Sequence, residues 1–296
     1  MELREGEQNV ASLRPPECDD VLQPLAIAVR EAKPNATRTR AVGRPTVTAV
    51  IPALNEAENL PYILPKLDGL VDEVIIVDGL SKDNTAEVAR RLLSDVRIIE
   101  ETTPGKGAAL RRGFAEARGD IVVALDADGS TDPYEIPAYV GLLLAGADFV
   151  KGSRFVQGGG TSDMPWNRRW GNRALTMLVR WLFGGRYTDL CYGYNAFWAD
   201  VVPLLKLNAD GFEIETMMNI RALRAKLNVA EVASFERERI HGEAKLRALP
   251  DGWRVLKTIL RERFGGPLLP AADQPVTRER WAAPEYLAES VLSEES

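Results

Sequence analysis

Residues 121–125 form an uninterrupted apolar run that leads directly into two carboxylates, Asp126 and Asp128. A continuous run of apolar, mostly β-branched residues indicates a strand that is buried on both faces. In open α/β sheets the ligand crevice lies beyond the carboxyl ends of the strands, and Gly129 lets the backbone turn there. The sequence therefore predicts an acidic crevice at the end of a central strand.

The two carboxylates are one residue apart, a spacing that suits a hard divalent cation such as Mg²⁺ or Mn²⁺. Such a cation keeps few protein ligands and takes its other oxygens from substrate phosphates. The same residues can also be read as an acidic turn after a strand, and the Asp-x-Asp pair alone does not separate the two interpretations. A calcium loop is not supported, because Pro137 stands where a bidentate Glu is required.

Strand and helix patterns alternate along the first half of the chain. Strands are predicted at 46–51, 73–77, 96–100, 121–125 and from 149, with helices at 56–67, 84–93, 107–117 and from 132. This alternation with short loops predicts an α/β fold whose mostly parallel sheet has helices on both faces. Three strands end in polar residues, which are expected to face one crevice. These residues are Asn55 with Glu56, Asp78, and Asp126 with Asp128.

Overall composition narrows the function classes. The chain has 296 residues and a net charge of −6, which argues against a nucleic-acid binder. Two cysteines, Cys18 and Cys191, support neither a disulfide framework nor a zinc site and fit a reducing cytoplasm. A Ser-His or Cys-His mechanism would have to use His241, the one histidine. Neither a membrane span nor a secretory signal is expected, so we predict a cytoplasmic protein that could bind the inner membrane face peripherally.

Three regions are predicted along the chain. Residues 1–44 lack periodicity and are expected to be a flexible extension, 45–266 form the folded domain, and 267–296 are an acidic, Pro-containing tail. The domain should end in a helix at 250–264 that either docks on its own domain or lies on an anionic membrane. The apolar stripe predicted on this helix consists of Trp253, Leu256, Ile259, Leu260 and Phe264.

A set of short segments occurs in a recognisable order from about residue 47 to residue 263. These segments are 51–60, 77–85, 105–107, 109–110, 113–114, 126–128, 152–154 and 237–245. Together they resemble the family 2 inverting glycosyltransferases with the GT-A fold, and most closely their dolichyl- or polyprenyl-phosphate mannosyl- and glucosyltransferase branch. The resemblance implies a metal-dependent hexosyltransferase that uses a nucleotide sugar such as GDP-mannose or UDP-glucose and a polyprenyl or dolichyl phosphate acceptor.

The resemblance also implies a role for each matching residue. The donor would be held by Pro52, Asn55, Glu56, Asp78, Lys106 and Asp126. The metal would be held by Asp126, Asp128 and Ser130. The acceptor phosphate would be held by Arg154, Arg168, Arg239 and Lys245. Two departures from the family pattern stand out: Gly79 occupies a position where a second Asp is common, and Ser130 one where Gln is common.

The second half of the chain carries candidates for acceptor binding and for a catalytic base. A Gly-rich stretch at 157–160 precedes clustered arginines at 168–173, which form either a phosphate cradle or a solvated basic helix start. Glu213, Glu215 and Asp189 are the candidate bases, although the two glutamates also suit the first turn of a helix. A phosphate acceptor is already anionic at pH 7 and requires no strong base.

Four functions remain in competition. The leading hypothesis is hexose transfer to a polyprenyl phosphate at a membrane surface. The second hypothesis keeps the fold and the donor but uses a soluble hydroxyl acceptor, such as a phosphoglycerate or a secondary metabolite. The third is a haloacid dehalogenase-like phosphatase with Asp126 as nucleophile, although about 80 matching residues precede that motif. The fourth is a sugar-nucleotide-binding module without activity. A homodimer is left open.

Overall fold

The structure is a computed structural model that describes residues 44–162, 164–242 and 248–265. The predicted extension at 1–44, apart from Arg44, lies outside the described residues, and so does the predicted tail at 267–296. Lys245 lies outside them too. Among the helices that are described, none combines the length and the hydropathy of a bilayer span.

Within the residues that the structure describes, nine strands form two sheets. They are β1 (Val47–Ala53), β2 (Glu73–Asp78), β3 (Arg97–Glu100), β4 (Ile121–Ala124), β5 (Phe149–Ser153), β6 (Gly160–Thr161), β7 (Asn195–Trp198), β8 (Val229–Ala233) and β9 (Phe235–Glu236). The large sheet has the order β3-β2-β1-β4-β7-β5-β8, and β6 pairs with β9 in the small one. Only β7 runs antiparallel to its neighbours in the large sheet. The predicted α/β fold with a mostly parallel sheet is confirmed.

The described part of the chain also contains eight α-helices. They are α1 (Leu60–Leu67), α2 (Thr85–Leu92), α3 (Lys106–Glu116), α4 (Ile136–Leu144), α5 (Trp166–Phe183), α6 (Val202–Leu205), α7 (Glu213–Arg224) and α8 (Ala248–Phe264). Helix α1 begins four residues later than predicted, because Pro61 belongs in a first helical turn. The helix predicted from residue 132 begins as a 3-10 turn, Pro133–Glu135, before α4.

Alternate residues of the central strands face two separate cores. Ile51 and Val123 belong to the core that includes α1 and α4, whereas Val50 and Val122 belong to the core that includes α3 and α7. All four side chains have no exposed surface. Because successive side chains of a strand point to opposite faces, helices on both sides explain the continuous apolar run that leads to Asp126.

Helix α8 docks on its own domain, but not through the predicted stripe. Ile259 of that stripe is buried, whereas Trp253 and Phe264 are 67% and 72% exposed. The docked face instead includes Glu262, whose carboxylate lies 2.8 Å from Arg221 Nη2 on α7. A buried carboxylate is tolerated only with such a partner, and the apolar pattern of the helix alone does not reveal it.

Candidate active site

The carboxyl ends of β1, β2 and β4 bring the predicted donor and metal residues to one edge of the sheet. These strands are parallel neighbours, and Ala53 of β1 pairs with Asp78 at the end of β2. Asp126 follows β4 on the other side of β1. The structure therefore joins the strand-end polar groups in one crevice, as their sequence positions predict.

Asn55 and Asp78 connect the loops that follow β1 and β2. The Asn55 side-chain oxygen accepts a hydrogen bond from the Lys82 backbone N–H at 2.7 Å, and Asp78 accepts one from the Ser81 N–H at 3.0 Å. Asn55 has a φ of 54°, a left-handed conformation that Asn adopts more readily than most residues. Both side chains thus hold the backbone of the loop that follows β2, and Pro52 lies nearby in β1.

Arg239 lies between two acidic groups of the crevice. Its Nη1 is 3.0 Å from Glu56 Oε2, and its Nη2 is 3.4 Å from Asp128 Oδ2. Glu56 is almost completely buried and also accepts a hydrogen bond from the Asn59 amide at 2.6 Å. The structure therefore groups Arg239, which was predicted to hold the acceptor phosphate, with the predicted donor and metal residues.

The turn after Asp126 is held by a neighbouring segment of the chain. The Ser130 hydroxyl donates to Asp128 Oδ1 at 2.6 Å, and the Ile240 backbone N–H donates to the Asp128 carbonyl at 3.2 Å. Gly129 has a φ of 81°, and a Cβ added there would collide with the Ile240 side chain. Ser130, predicted as a metal ligand, thus lies where it orients the Asp128 carboxylate.

One lysine cation is shared by two carboxylates at the centre of the crevice. Lys106 Nζ lies 2.6 Å from Asp126 Oδ1 and 2.6 Å from Glu215 Oε1. Burial raises the pKa of Asp126 to about 6 and the nearby Asp128 and Glu215 add to this, although Lys106 opposes the change. Burial alone would lower the pKa of Lys106, but Asp126 and Glu215 outweigh it and the pKa lies above its ordinary value. The lysine is therefore charged, and the acidic cluster still favours additional positive charge.

The glycines around Lys106 have a packing role. Gly105 and Gly107 lie against the backbone of Asp210, and a Cβ at either position would collide with it. The Gly107 N–H donates to the Asp210 carbonyl at 2.7 Å. This close approach fixes the start of α3 and aims Lys106 at Asp126 and Glu215.

The donor set fits a divalent cation that is only partly ligated by protein. Within 44–162, 164–242 and 248–265, no three side chains of His, Cys, Asp or Glu are arranged to hold a metal. Asp126 and Asp128 supply two carboxylates at one turn, and burial, with the nearby Asp128 and Glu215, raises the pKa of Asp126 to about 6. Two hard oxygen ligands suit Mg²⁺ or Mn²⁺ when a substrate diphosphate supplies the remaining oxygens.

Arg154 and Asp189 are paired with each other in the interior. The Arg154 side chain is 1% exposed, with Nε 2.6 Å from Asp189 Oδ2 and Nη1 2.9 Å from Glu236 Oε2. Burial alone would raise the pKa of Asp189, but Arg154 outweighs it and the pKa lies below its ordinary value. The predicted phosphate ligand and one predicted base therefore lie in a closed ion pair.

Arg168 lies on a cavity that extends to Glu215. The cavity has a volume of about 250 Å³ and lies between the first turns of α5, the first turns of α8 and the start of α7. Its lining includes Arg168, Asn172, Leu175, Phe212, Glu215 and Val255. Glu213 is not among the lining residues and accepts a hydrogen bond from the Gly211 N–H at 3.3 Å, as expected for an acid in a first helical turn.

Gly193 is a residue of the site that the sequence did not single out. A Cβ added there would lie 2.7 Å from both Lys106 Nζ and Glu215 Oε1, and 3.1 Å from Asp126 Oδ2. The available signal is a glycine inside the polar-aromatic stretch at 188–197, since an isolated glycine in such a pattern indicates close approach.

Comparisons with known proteins agree with this geometry. The profile of the family described as Glycosyl transferase family 2 matches residues 48–201. A dolichol-phosphate mannosyltransferase of Pyrococcus furiosus is 34% identical over 68% of this chain, which spans 59% of that protein's length. An undecaprenyl-phosphate mannosyltransferase of Micrococcus luteus is 34% identical, with 68% of this chain and 87% of that protein covered.

A solved structure resembles the fold as well. Glucosyl-3-phosphoglycerate synthase from Mycobacterium tuberculosis, in complex with Mn²⁺, uridine diphosphate and glucosyl-3-phosphoglycerate, superimposes with a TM-score of 0.58. It is 28% identical, and the match covers 77% of this chain and 86% of that one. That structure contains a bound nucleotide and a bound metal ion.

Proposed function

The chain belongs to glycosyl transferase family 2, and from that premise we propose that it transfers a hexose from a nucleotide sugar to a polyprenyl phosphate. One observation carries the proposal. A cavity of about 250 Å³, lined by two arginines and several apolar side chains, reaches Glu215, which shares Lys106 with Asp126. An acceptor phosphate in this cavity is thereby directed at the sugar of a donor held at Asp126. Inversion at the anomeric carbon follows from a single direct displacement.

The donor, GDP-mannose or UDP-glucose, lies along the ends of β1, β2 and β4. Its base and ribose lie near Pro52, Asn55, Glu56 and Asp78, and its diphosphate lies at the Asp126–Asp128 turn. Support comes from Lys106 and Arg239, two cations beside that turn. Phosphate oxygens are bound well by such charge-assisted donors.

Asp126 and Asp128 hold Mg²⁺ or Mn²⁺ in this proposal. When bound, the cation neutralises the charge that develops on the leaving nucleoside diphosphate. The Ser130 hydroxyl keeps Asp128 oriented for this task, as its 2.6 Å hydrogen bond suggests. Two carboxylates at one turn, which are hard oxygen ligands, support a cation here.

The acceptor phosphate binds at Arg168, and its first isoprene units contact Leu175, Phe212 and Val255. These residues share one cavity, which supports a ligand with a charged end and an apolar body. A phosphate oxygen attacks the anomeric carbon without prior loss of a proton, because it is anionic at neutral pH. A step that needs no base agrees with the structure, because both candidate bases are already in ion pairs. Asp189 is paired with Arg154, and Glu215 is paired with Lys106. Because such an acceptor is a lipid, the reaction takes place at a membrane surface.

The test compares acceptors with purified protein. GDP-mannose and UDP-glucose are each incubated with Mg²⁺ or Mn²⁺ and with a short-chain polyprenyl phosphate, with 3-phosphoglycerate, or with no acceptor. We expect a glycosyl polyprenyl phosphate of inverted configuration from one of the donors. Transfer to 3-phosphoglycerate without transfer to lipid phosphate would overturn the proposal.

A second candidate function keeps the fold and donor but uses a phosphorylated hydroxy acid as acceptor. The likeness to the mycobacterial synthase at a TM-score of 0.58 favours it. A hydroxyl acceptor requires a base, and Glu215 is the candidate closest to the crevice, since it contacts Lys106 at 2.6 Å. The acceptor comparison above separates the two functions directly.

A further inference from the structure

Helix α5 presents an apolar face to the outside. Trp166, Trp170, Met177 and Trp181 are between 61% and 80% exposed. Their spacing of four, seven and four residues places all of them on one side of an α-helix. The opposite side, with Thr176 and Val179, is buried in the domain. Three exposed tryptophans on one helix face indicate a surface that meets something apolar.

The charges around this face all have one sign. Helix α5 carries Arg168, Arg169, Arg173 and Arg180 and no acidic residue, in a chain whose net charge is −6. Helix α8 continues the pattern, because both of its acids, Asp251 and Glu262, are buried. Its exposed charges are the cations Arg254, Lys257, Arg261 and Arg263. Eight of the chain's 37 basic residues thus lie on these two neighbouring helices, which expose no acidic residue.

Helix α8 adds its own exposed apolar side chains. Leu249, Trp253 and Phe264 are between 67% and 88% exposed, on a helix that packs beside α5. Val179 of α5 and Val255 of α8 lie in the same small core. The two helices therefore form one unit, and each of them exposes aromatic and basic residues together.

Exposed aromatic and basic residues on one surface match the chemistry of a bilayer interface with anionic headgroups. Tryptophan concentrates at the level of the headgroups, and basic side chains add an attraction to anionic lipids. A second copy of the chain fits less well, because a symmetric contact would set the arginines of α5 against themselves with no carboxylate on that helix. The mixture of cations and tryptophans thus favours lipid over protein.

We propose that the exposed face of α5, together with the exposed face of α8, docks this protein on an anionic bilayer. The cavity proposed for the acceptor supports this position, since Asn167, Arg168, Leu249 and Gly252 of the same helices are among its lining residues. A phosphate carried at the membrane surface reaches Arg168 without leaving the headgroup layer. This last step rests on the proposed function, whereas the docking itself does not.

The test measures co-sedimentation of the full chain with vesicles. Phosphatidylcholine vesicles with and without phosphatidylglycerol are compared at low and high salt. One variant combines Trp166→Ser, Trp170→Ser and Trp181→Ser, and a second combines Arg173→Glu with Arg180→Glu. The matched charge control combines Arg90→Glu with Arg118→Glu, two exposed arginines outside α5 and α8. Circular dichroism verifies that each variant is folded.

We expect the wild type to bind phosphatidylglycerol vesicles at low salt and to dissociate as salt is added. Both variants should lose at least about tenfold in affinity, and the control should bind like the wild type. Undiminished binding of the tryptophan variant would overturn the proposal. The proposal would also be overturned if the wild type does not bind the vesicles and instead forms a dimer. In that case light scattering would detect a dimer of the wild type and a monomer of the tryptophan variant.

Activity on a short, water-soluble polyprenyl phosphate separates this inference from the proposed function. The tryptophan variant should retain that activity, while its transfer to a long-chain acceptor in vesicles should fall. If the wild type binds vesicles but transfers no hexose to the short acceptor, the proposed function fails and the docking surface stands. If it transfers hexose but ignores the vesicles, the docking surface fails and the function stands.

Discussion

Arg154 and Asp189 form a two-point ion pair inside the protein. Arg154 Nε lies 2.6 Å from Asp189 Oδ2, and Nη2 lies 2.9 Å from Oδ1. Glu236 binds the remaining guanidinium nitrogen at 2.9 Å. The pair joins the end of β5 to the loop before β7, next to the acceptor cavity. Arg154 and Arg168 both line this cavity, and the ion pair holds Arg154 in the cavity wall.

The first prediction concerns the stability contributed by Arg154. Arg154→Ala leaves Asp189 buried without its main partner, and loss of one member of a buried pair costs roughly 3–5 kcal/mol. Urea unfolding should show this loss of unfolding free energy. Arg168→Ala, on the cavity surface, serves as the matched control and should change it by less than about 1 kcal/mol. Equal stability of the two variants would contradict the structural role of the ion pair.

The second prediction concerns acceptor binding by Arg168. Arg168→Ala should raise the KM for polyprenyl phosphate or lower kcat, while the affinity for the nucleotide sugar stays the same. A charge-assisted contact contributes roughly 1.5–3 kcal/mol, which corresponds to roughly 10- to 150-fold in kcat/KM. Steady-state kinetics with a short acceptor measures the acceptor effect, and calorimetry measures donor binding. A matching loss of donor affinity would assign Arg168 to the nucleotide side.

The third prediction concerns the pH dependence of stability through Asp189. Although burial opposes it, Arg154 brings the pKa of this carboxyl below its ordinary value of 3.8. A lowered folded-state pKa stabilises the fold above the ordinary value, and this contribution disappears as pH falls through the folded pKa. The difference in unfolding free energy between wild type and Asp189→Asn should therefore be constant near neutral pH and shrink below about pH 4.

Urea titrations at a series of pH values measure that difference. Asp95→Asn, at an exposed aspartate, controls for the general effect of removing a carboxylate. If the difference in unfolding free energy between wild type and Asp189→Asn stays unchanged well below the ordinary pKa of Asp, the ion pair is not the source of that stability.

The fourth prediction concerns metal binding by Asp126. Because its pKa is raised to about 6, a proton and a cation compete for this carboxylate in that range. Mn²⁺ affinity of the donor-free protein should fall by about tenfold per pH unit below that pKa. Titration calorimetry between roughly pH 5 and pH 8 measures this. Asp126→Asn should abolish the binding, and a wild-type affinity that is constant over the range would contradict the assignment.

The sheet and the acidic crevice could be predicted from sequence because both depend on local patterns. A buried strand shows itself by a continuous apolar run, and the residues after it must lie at its carboxyl end. The polar pairs could not be predicted in the same way. Arg154 and Asp189 are 35 residues apart, and Arg221 and Glu262 are 41 apart. Neither partner carries a local signal of the other.

The same limit explains why the buried face of helix α8 was predicted incorrectly. Its period predicted an apolar stripe, but the face that docks contains Glu262, paired with Arg221 and Arg224 on α7, beside the buried Val255 and Ile259. Trp253 and Phe264 are exposed. Helical periodicity identifies a possible buried face, but it does not reveal a buried ion pair with a helix that is distant in sequence.

The last prediction tests the space beside the shared lysine. Gly193 has an ordinary backbone conformation, so Gly193→Ala introduces no backbone strain and acts only through its new methyl group. That methyl would lie 2.7 Å from Lys106 Nζ and from Glu215 Oε1, so these charged ends must move. We expect at least about a tenfold fall in kcat, because small displacements of positioned groups are costly in catalysis. Stability should change little, since the displaced atoms are the ends of flexible side chains.

Gly141→Ala on α4 is the matched control, because its methyl group meets no atom within 4 Å. That control should keep full activity and gain slightly in stability from helix propensity. If Gly193→Ala retains wild-type kcat, the Lys106–Asp126–Glu215 arrangement is not the one that acts during transfer.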